Sequence, residues 1–471
     1  MNRKILSILS LSMALYLPAK SQIITTYAGD GTNGYSGDGF AATSAQVFFQ
    51  FDLQVEYDGS AVAADASGNI IFSDQVNNVI RKVSATTGII TTIVGDAYTN
   101  GTPVNGASFG FGGSGRYTGD GLQATAASLN NPAGIAFNAA GDLYICDYNN
   151  SVIRKVNHST NIITTVAGVN GNLTSSGDGG PATAAGIGAP IGITFDAAGN
   201  YYIADADNKV VRKVTTSGVI STVAGGGSST ADGAAATAEH LDLPYALIVD
   251  ASGNIYISEA GNTSNRIRKV NSSGVISTFA GNGTSGTPTS GVVATSTSIS
   301  RPRGMTKDAL GNFYIASGCY ICKINTSNII TFISGTSTCG YSGDFGMANV
   351  AELNFPDNIG FNSHGDLFII DDNNFRVREI GIGALNINEI AAGTNIQVTP
   401  NPGNGKCYLN IPASSSQNSK VVVTNVIGQV VKELQVETNS PTEVTLNVPA
   451  GIYLVTAFTT EGSYNTKIVV Q

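Results

Sequence analysis

The sequence has no Trp, 3 His, 4 Met and only 12% charged residues in a chain of 471. A soluble globular chain carries about 25% charged residues. Half that charge, beside 57 Gly, argues against a helical protein, because helices draw on Glu, Lys, Arg and Leu. Simple disorder is also excluded, because 42% of the residues are hydrophobic and disorder needs low hydrophobicity with high net charge. The Gly residues have no three-residue period, which excludes collagen. No Lys/Arg cluster relieves the net charge of −9. That balance disfavours nucleic acid, where phosphate neutralisation drives binding, and docking on anionic lipid. What remains is an all-β chain with many tight turns, long enough for more than one domain.

No segment reaches the roughly 20 apolar residues of a membrane span. The shorter run Ile5 to Leu17 follows Asn2-Arg3-Lys4 and precedes Pro18-Ala19-Lys20-Ser21. Basic region, short apolar region and small residues before a cleavage point predict a signal peptide over 1–21. Its removal takes away Arg3, Lys4 and Lys20 and moves the net charge from −9 to −12. Export permits disulfides. The five cysteines, Cys146, Cys319, Cys322, Cys339 and Cys407, leave at least one thiol free.

One core recurs six times. It reads Gly68-Asn-Ile-Ile-Phe-Ser-Asp74, Gly141-Asp-Leu-Tyr-Ile-Cys-Asp147, Gly199-Asn-Tyr-Tyr-Ile-Ala-Asp205, Gly253-Asn-Ile-Tyr-Ile-Ser-Glu259, Gly311-Asn-Phe-Tyr-Ile-Ala-Ser317 and Gly365-Asp-Leu-Phe-Ile-Ile-Asp371. Each unit divides into four short strands rich in β-branched and aromatic residues, split by Gly, Asn and Asp turns. An Asx residue (Asp65, Asn138, Asp196, Asp250, Asp308 or Asn362) opens the first turn, and Gly follows three residues later. Such a side chain bonds its own turn backbone and Gly takes positive φ. Radially repeated four-stranded units make a β-propeller. The sixth unit stops after its third strand, while the mature N-terminus begins with an unattached fourth strand, Ile23-Ile-Thr-Thr-Tyr-Ala-Gly29. That displaced strand would close a six-bladed ring.

The pattern over 22–381 resembles NHL-repeat propellers, especially the bacterial variety marked by a Gly-Tyr-Ser-Gly-Asp-Gly loop. The loop stands here as Gly34-Tyr-Ser-Gly-Asp-Gly39, with related copies Arg116-Tyr-Thr-Gly-Asp-Gly121, Ser176-Gly-Asp-Gly179, Ala231-Asp-Gly233 and Gly340-Tyr-Ser-Gly-Asp344. The copy after blade four has lost the Asp.

After a Gly-, Ala- and Asn-rich linker over 382–395 the pattern changes. Residues 396–471 hold four blocks, Ile396 to Gly405, Val421 to Gln429, Pro449 to Val455 and a last strand ending Lys467-Ile-Val-Val-Gln471. Alternating strands with Gly/Asn/Pro turns predict a small Ig-like antiparallel sandwich. These blocks are similar to the C-terminal sorting domain of the type IX secretion system of Bacteroidetes-type bacteria. The resemblance implies export, recognition by the type IX machinery through 396–471, removal of the domain, and release or attachment at the outer-membrane surface.

Propeller enzymes near the NHL group use a channel metal held by His or by carboxylates and Asn. Here His158, His240 and His364 lie in separate turns and loops, where a zinc site needs three or four converging ligands. The innermost strands supply mainly Ile, Ala, Phe, Thr and Val, with Lys307 the odd residue. No nucleophile has a convincing base partner, so no catalytic residue and no metal ligand is assigned.

The recurring acids Asp74, Asp147, Asp205, Glu259 and Asp371 end the second strands, and Arg81, Arg154, Arg212, Arg268 and Arg378 lie in the third. Blade five loses both together, to Ser317 and Cys322. Joint loss points to structural ion pairs, since one buried partner left alone costs several kcal/mol, roughly 3–5. The interblade loops emerge on one face. There Tyr35, Tyr117 and Tyr341 add aromatic surface and Asp38, Asp120, Asp178 and Asp344 add acceptors. This face reads either as turn chemistry or as a binding face for glycan or protein, with Ca²⁺ the one cofactor that the acids could admit. A Cys319–Cys339 or Cys322–Cys339 disulfide would staple the loop after blade five, and Cys146 reads as a buried free thiol.

The expectation is a monomeric, non-catalytic propeller at the cell surface or secreted, binding extracellular protein or glycan. The alternatives are a propeller lyase or lactonase-like enzyme, and a structural adhesion or matrix protein.

Overall fold

Runs of Val, Ile, Thr and Tyr between Asx–Gly turns become strands in every repeat. The computed structural model describes residues 22–49, 59–97, 117–381, 396–401, 403–413, 415–425, 430–459 and 462–470. The expected signal peptide over 1–21 and linker over 382–395 lie outside the described residues. Two compact units divide the chain between Ile382 and Gly383. No α-helix occurs among the described residues.

Blade two shows the repeat. Its strands Pro132–Phe137, Leu143–Asp147, Val152–Val156 and Ile163–Ala167 pair antiparallel in chain order. Between the first two, Asn138 Oδ1 accepts from the amides of Ala140 and Asp142 at 3.0 and 2.9 Å. Gly141 sits there at φ +86°, a conformation that L side chains rarely adopt. Second strands such as Ile70–Asp74 are buried along their whole length, because neighbouring blades cover both faces. The inner strands touch one another in cyclic order, and the strand of blade six, Pro356–Phe361, meets that of blade one, Val62–Ala64. The N-terminal strand Ile23–Ala28 pairs antiparallel with Arg376–Ile380, the third strand of blade six. The fold is therefore a six-bladed propeller closed by its N-terminal strand.

The four-stranded blades carry one addition at the rim. Each interblade loop lays a further short segment along the outer strand of the next blade. It forms two-residue strands in blades five and six, Val292–Val293 and Gly346–Met347. In the other blades it forms single bridges, Ala41 to Ile89, Gln123 to Ile162, Pro181 to Val219 and Ala235 to Val275. A 3-10 turn follows each, and its first Ala is buried, as in Ala124, Ala182 and Ala294. The carbonyls of Ala124, Ala182 and Ala294 accept from Gly95, Gly168 and Gly281, which end the outer strands of the preceding blades. Each loop thus clasps two blades and covers an edge strand that would otherwise invite pairing with another chain.

The C-terminal unit has one sheet of Gln397–Thr399, Lys406–Asn410 and Thr442–Thr445. A second holds Asn418–Asn425, Val430–Glu437, Gly451–Thr459 and Gly462–Val470. Cys407, Leu409 and Val444 from the first share one apolar cluster with Val421, Val423, Val436 and Val455 from the second. The sheets therefore pack face to face as a small sandwich.

Candidate functional site

The repeated acid, the repeated Arg and the loop Asp, read separately in the sequence, form one network in space. In blade one the Arg81 guanidinium is fully buried. Its Nη1 lies 3.1 Å from Asp74 Oδ2 and its Nη2 lies 2.7 Å from Asp38 Oδ1. Blade two repeats this with Arg154, 3.3 Å from Asp147 and 2.8 Å from Asp120. Blade six repeats it with Arg378, 3.2 Å from Asp371 and 2.6 Å from Asp344.

Blades three and four vary the arrangement. Arg212 reaches Asp178 at 2.6 Å but stands 4.0 Å from Asp205, and its Nη1 instead donates to the Gly186 carbonyl at 3.1 Å. Arg268 takes Glu239 at 2.9 Å and Asp232 at 3.0 Å, with Glu259 at 3.8 Å. Glu239 and Asp232 belong to this network and were not picked out in the sequence. Asp232 was visible as the loop copy Ala231-Asp-Gly233. Glu239 stands at the blade-four position where Ala45, Ala127 and Ala185 follow the 3-10 turns of other loops.

The loop carboxylates have few acceptor sites to spare. The second oxygens of Asp38, Asp178 and Asp232 accept the amides of Thr92, Thr222 and Thr278 at 3.1, 2.9 and 2.9 Å. The Tyr117 and Tyr341 hydroxyls donate to Asp120 and Asp344 at 3.2 and 2.8 Å. The rings of Tyr35, Tyr117 and Tyr341 each lie 5.0 Å from the guanidinium carbon of Arg81, Arg154 and Arg378, a cation–π distance. Tyr35 and Tyr341 remain 41% and 42% exposed, although Arg376 also stacks on the Tyr341 ring at 3.8 Å. Burial pushes Asp74, Asp147, Asp205 and Asp371 up to about 6, against the pull of Arg and amide partners. Asp178 ends below its ordinary value, because the Thr222 bonds and Arg212 outweigh its burial.

Blade five lacks all three members. Ser317 keeps one duty of the lost acid, its Oγ accepting the Ser300 amide at 2.9 Å, as Asp147 accepts the Asn130 amide at 2.7 Å. A disulfide joins Cys319 to Cys339. Cys322, in the place of Arg, is buried with a free thiol, as are Cys146 and Cys407.

The central channel holds a cavity of about 470 Å³ lined, among the described residues, by the six inner strands. Among the described residues its wall carries no His, Cys, Asp or Glu. Among the described residues, no three His, Cys, Asp or Glu side chains converge as a metal centre. His158 pairs locally with Asp142, Nδ1 to Oδ1 at 3.3 Å, while 53% exposed.

One end of the channel is shut. The layer beneath the cavity is Ser60, Ala133, Ile191, Tyr245, Arg303 and Asp357, one residue from each blade. Tyr245 of blade four donates to Asp357 of blade six. Asp357 also accepts the Ser60 amide at 2.7 Å, and Arg303 lies 3.6 Å away. A Cβ on Gly59 of blade one would come within 2.9 Å of Ile191 in blade three. Contacts between non-adjacent blades leave no bore at this level. Burial raises Asp357, opposed by Arg303, Tyr245 and Ser60. Sequence reading missed this floor. Aligning the Pro-x pairs that open the inner strands, Pro132-Ala133, Pro190-Ile191, Pro244-Tyr245, Pro302-Arg303 and Pro356-Asp357, would have put these side chains on one level.

Residues 112–176 match the model of the teneurin NHL domain, and residues 397–471 match the secretion system C-terminal sorting domain. The chain is 28% identical to mouse teneurin-4 over 329 residues, 67% of this chain and 10% of that protein. It is 26% identical to chicken teneurin-1 over 307 residues, 62% of this chain and 9% of that protein. It thus spans about a tenth of the length of these curated relatives. Among solved structures, a protein of unknown function from Bacteroides thetaiotaomicron shares the fold at TM-score 0.55, with 15% identity over 76% of each chain. An auxiliary nutrient binding protein from Bacteroides ovatus aligns at TM-score 0.49, with 14% identity over 76% of each chain. A streptogramin B lyase aligns at 0.41, with 14% identity over 70% of this chain and 95% of that one.

Proposed function

For a chain built of an NHL-type propeller and a secretion-system C-terminal sorting domain, which marks it for secretion or the cell surface, we propose a non-catalytic binding module for extracellular protein or glycan. The observation that carries this reading is the channel wall. Among the described residues this wall holds no His, Cys or carboxylate, so it offers no hard-cation ligand set, and Lys307 is its one ionisable side chain. The partner surface is the loop face. Its part-exposed Tyr35 and Tyr341 rings rest on Arg81, Arg378 and Arg376, and a surface held in one shape loses little entropy on binding. Calcium is disfavoured there, because each loop carboxylate already faces an Arg. The sorting unit engages the export machinery, and the propeller is the delivered cargo.

The test is a glycan array and a panel of extracellular proteins probed with the exported chain, beside turnover assays on lactones and streptogramins. Saturable binding that weakens when Tyr35 and Tyr341 become Ala, without turnover, supports the reading. Turnover lost on changing channel residues would replace it with the enzyme alternative. Calcium titration should leave the melting temperature unchanged.

A further inference from the structure

The cavity above the sealed floor has a polarity of its own. Its middle layer, Val62, Ile135, Ile193, Leu247, Met305 and Ile359, is wholly apolar. The next layer toward the floor is Gly or Ala in five blades and Asn358 in the sixth. At the mouth stand Ala64, Phe137, Phe361 and, in blade five, Lys307. Among the described residues Lys307 is the one charged side chain of the lining and Asn358 its one amide. Lys307 is half-buried and meets the Phe313 ring at 6.0 Å. Among the described residues it has no carboxylate partner. The rim Asp residues are turned into their own loops. Asp308 accepts from Leu310, Asn312 and Tyr314, and Asp65 from Ser67 and Asn69.

Each inner strand ends its sheet, so its backbone edge faces the channel, bridged between blades five and six by the Gly304 amide on the Asp357 carbonyl at 2.8 Å. Lys307 and Asn358 stand three residue levels apart, roughly 10 Å at a strand rise of about 3.3 Å. The volume falls in the lower half of the range of small-molecule sites, about 300–1,000 Å³.

We propose that this cup binds a small organic carboxylate end-on, with its acid group at Lys307, an apolar body against the middle layer and a hydrogen-bonding far end at Asn358. The seal of Tyr245, Asp357 and Arg303 makes the site blind, so ligand enters and leaves at the Lys307 mouth. The site is separate from the loop face and goes beyond the macromolecular partner proposed above.

The exported full chain is titrated calorimetrically with 8-hydroxyoctanoate, its amide and octanoate. The wild type should bind the hydroxy acid saturably, with the amide at least tenfold weaker. Lys307→Met should abolish that preference, and Asn358→Ala should weaken the hydroxy acid while leaving octanoate unchanged. Unaltered melting of both variants and retained macromolecular binding show that the fold and the other surface are intact. Equal binding of acid and amide, undiminished acid binding by Lys307→Met, or no binding of any of the three compounds by folded wild type overturns the proposal.

Discussion

Blade two and blade five perform the same structural task by different chemistry. Blade two buries Arg154 between Asp147 and Asp120, tying the end of its second strand to the loop that covers its outer edge. Blade five has Ser317 and Cys322 at the matching positions, and its covering loop has no Asp. It holds the loop on its other side instead, through Cys319–Cys339, and stacks Tyr320 on Phe332 at 4.8 Å. The strand acid and the Arg disappear together because neither is tolerable in a dry interior without the other, and the part-exposed loop Asp goes with the Arg that held it. A buried ion network is kept or lost as a unit.

The largest effect should come from breaking the unit in blade two. Arg154→Met strands Asp147 in a buried site and should cost about 3–5 kcal/mol in denaturant unfolding of the propeller. Cys322→Val, the size-matched change in blade five, should stay within about 1.5 kcal/mol. Next comes the covalent staple. Cys339→Ser should lose about 3 kcal/mol and speed hydrogen exchange chiefly in Tyr320–Ile324 and the loop around Cys339.

A smaller effect separates the blades by pH. Asp74, Asp147, Asp205 and Asp371 are raised by burial to about 6, so the folded chain holds their protons more tightly than the unfolded chain. Stability should therefore rise as pH falls from about 7 through 6 toward about 4. Asp178, Asp196 and Asp242 end below their ordinary values, because hydrogen bonds and nearby cations outweigh burial. Their stabilisation is lost only below about pH 4. Melting temperature should peak near pH 4, while hydrogen exchange within blade five, which has no such acid, should stay flat after correction for intrinsic rates. The smallest change is Asp120→Asn, about 1 kcal/mol, since that carboxylate is 42% exposed.

The ring, its six blades and its closing strand were legible because Gly-x-apolar-apolar-apolar-x-Asp repeats in register and the fourth strand is displaced to Ile23. The Arg–acid relation was legible through its joint loss at Ser317 and Cys322. The third member was hidden, because Asp120 lies 34 residues before Arg154 and looks like an ordinary turn acid beside Gly. The channel floor was hidden for a different reason. Tyr245, Arg303 and Asp357 come from three blades and occur once each, so no repeat flags them. Only ring closure brings them to one level.

The blade arginines hold the loop aspartates, and a double-mutant cycle at Arg154 and Asp120 tests this most directly. Single and double replacements, Arg154→Met and Asp120→Asn, are compared by denaturant unfolding. A coupling energy on the order of 1 kcal/mol or more, with Asp120→Asn nearly silent once Arg154 is gone, is the predicted result. Additive costs within about 0.3 kcal/mol would contradict it and return the loop acids to the list of ligand-binding groups.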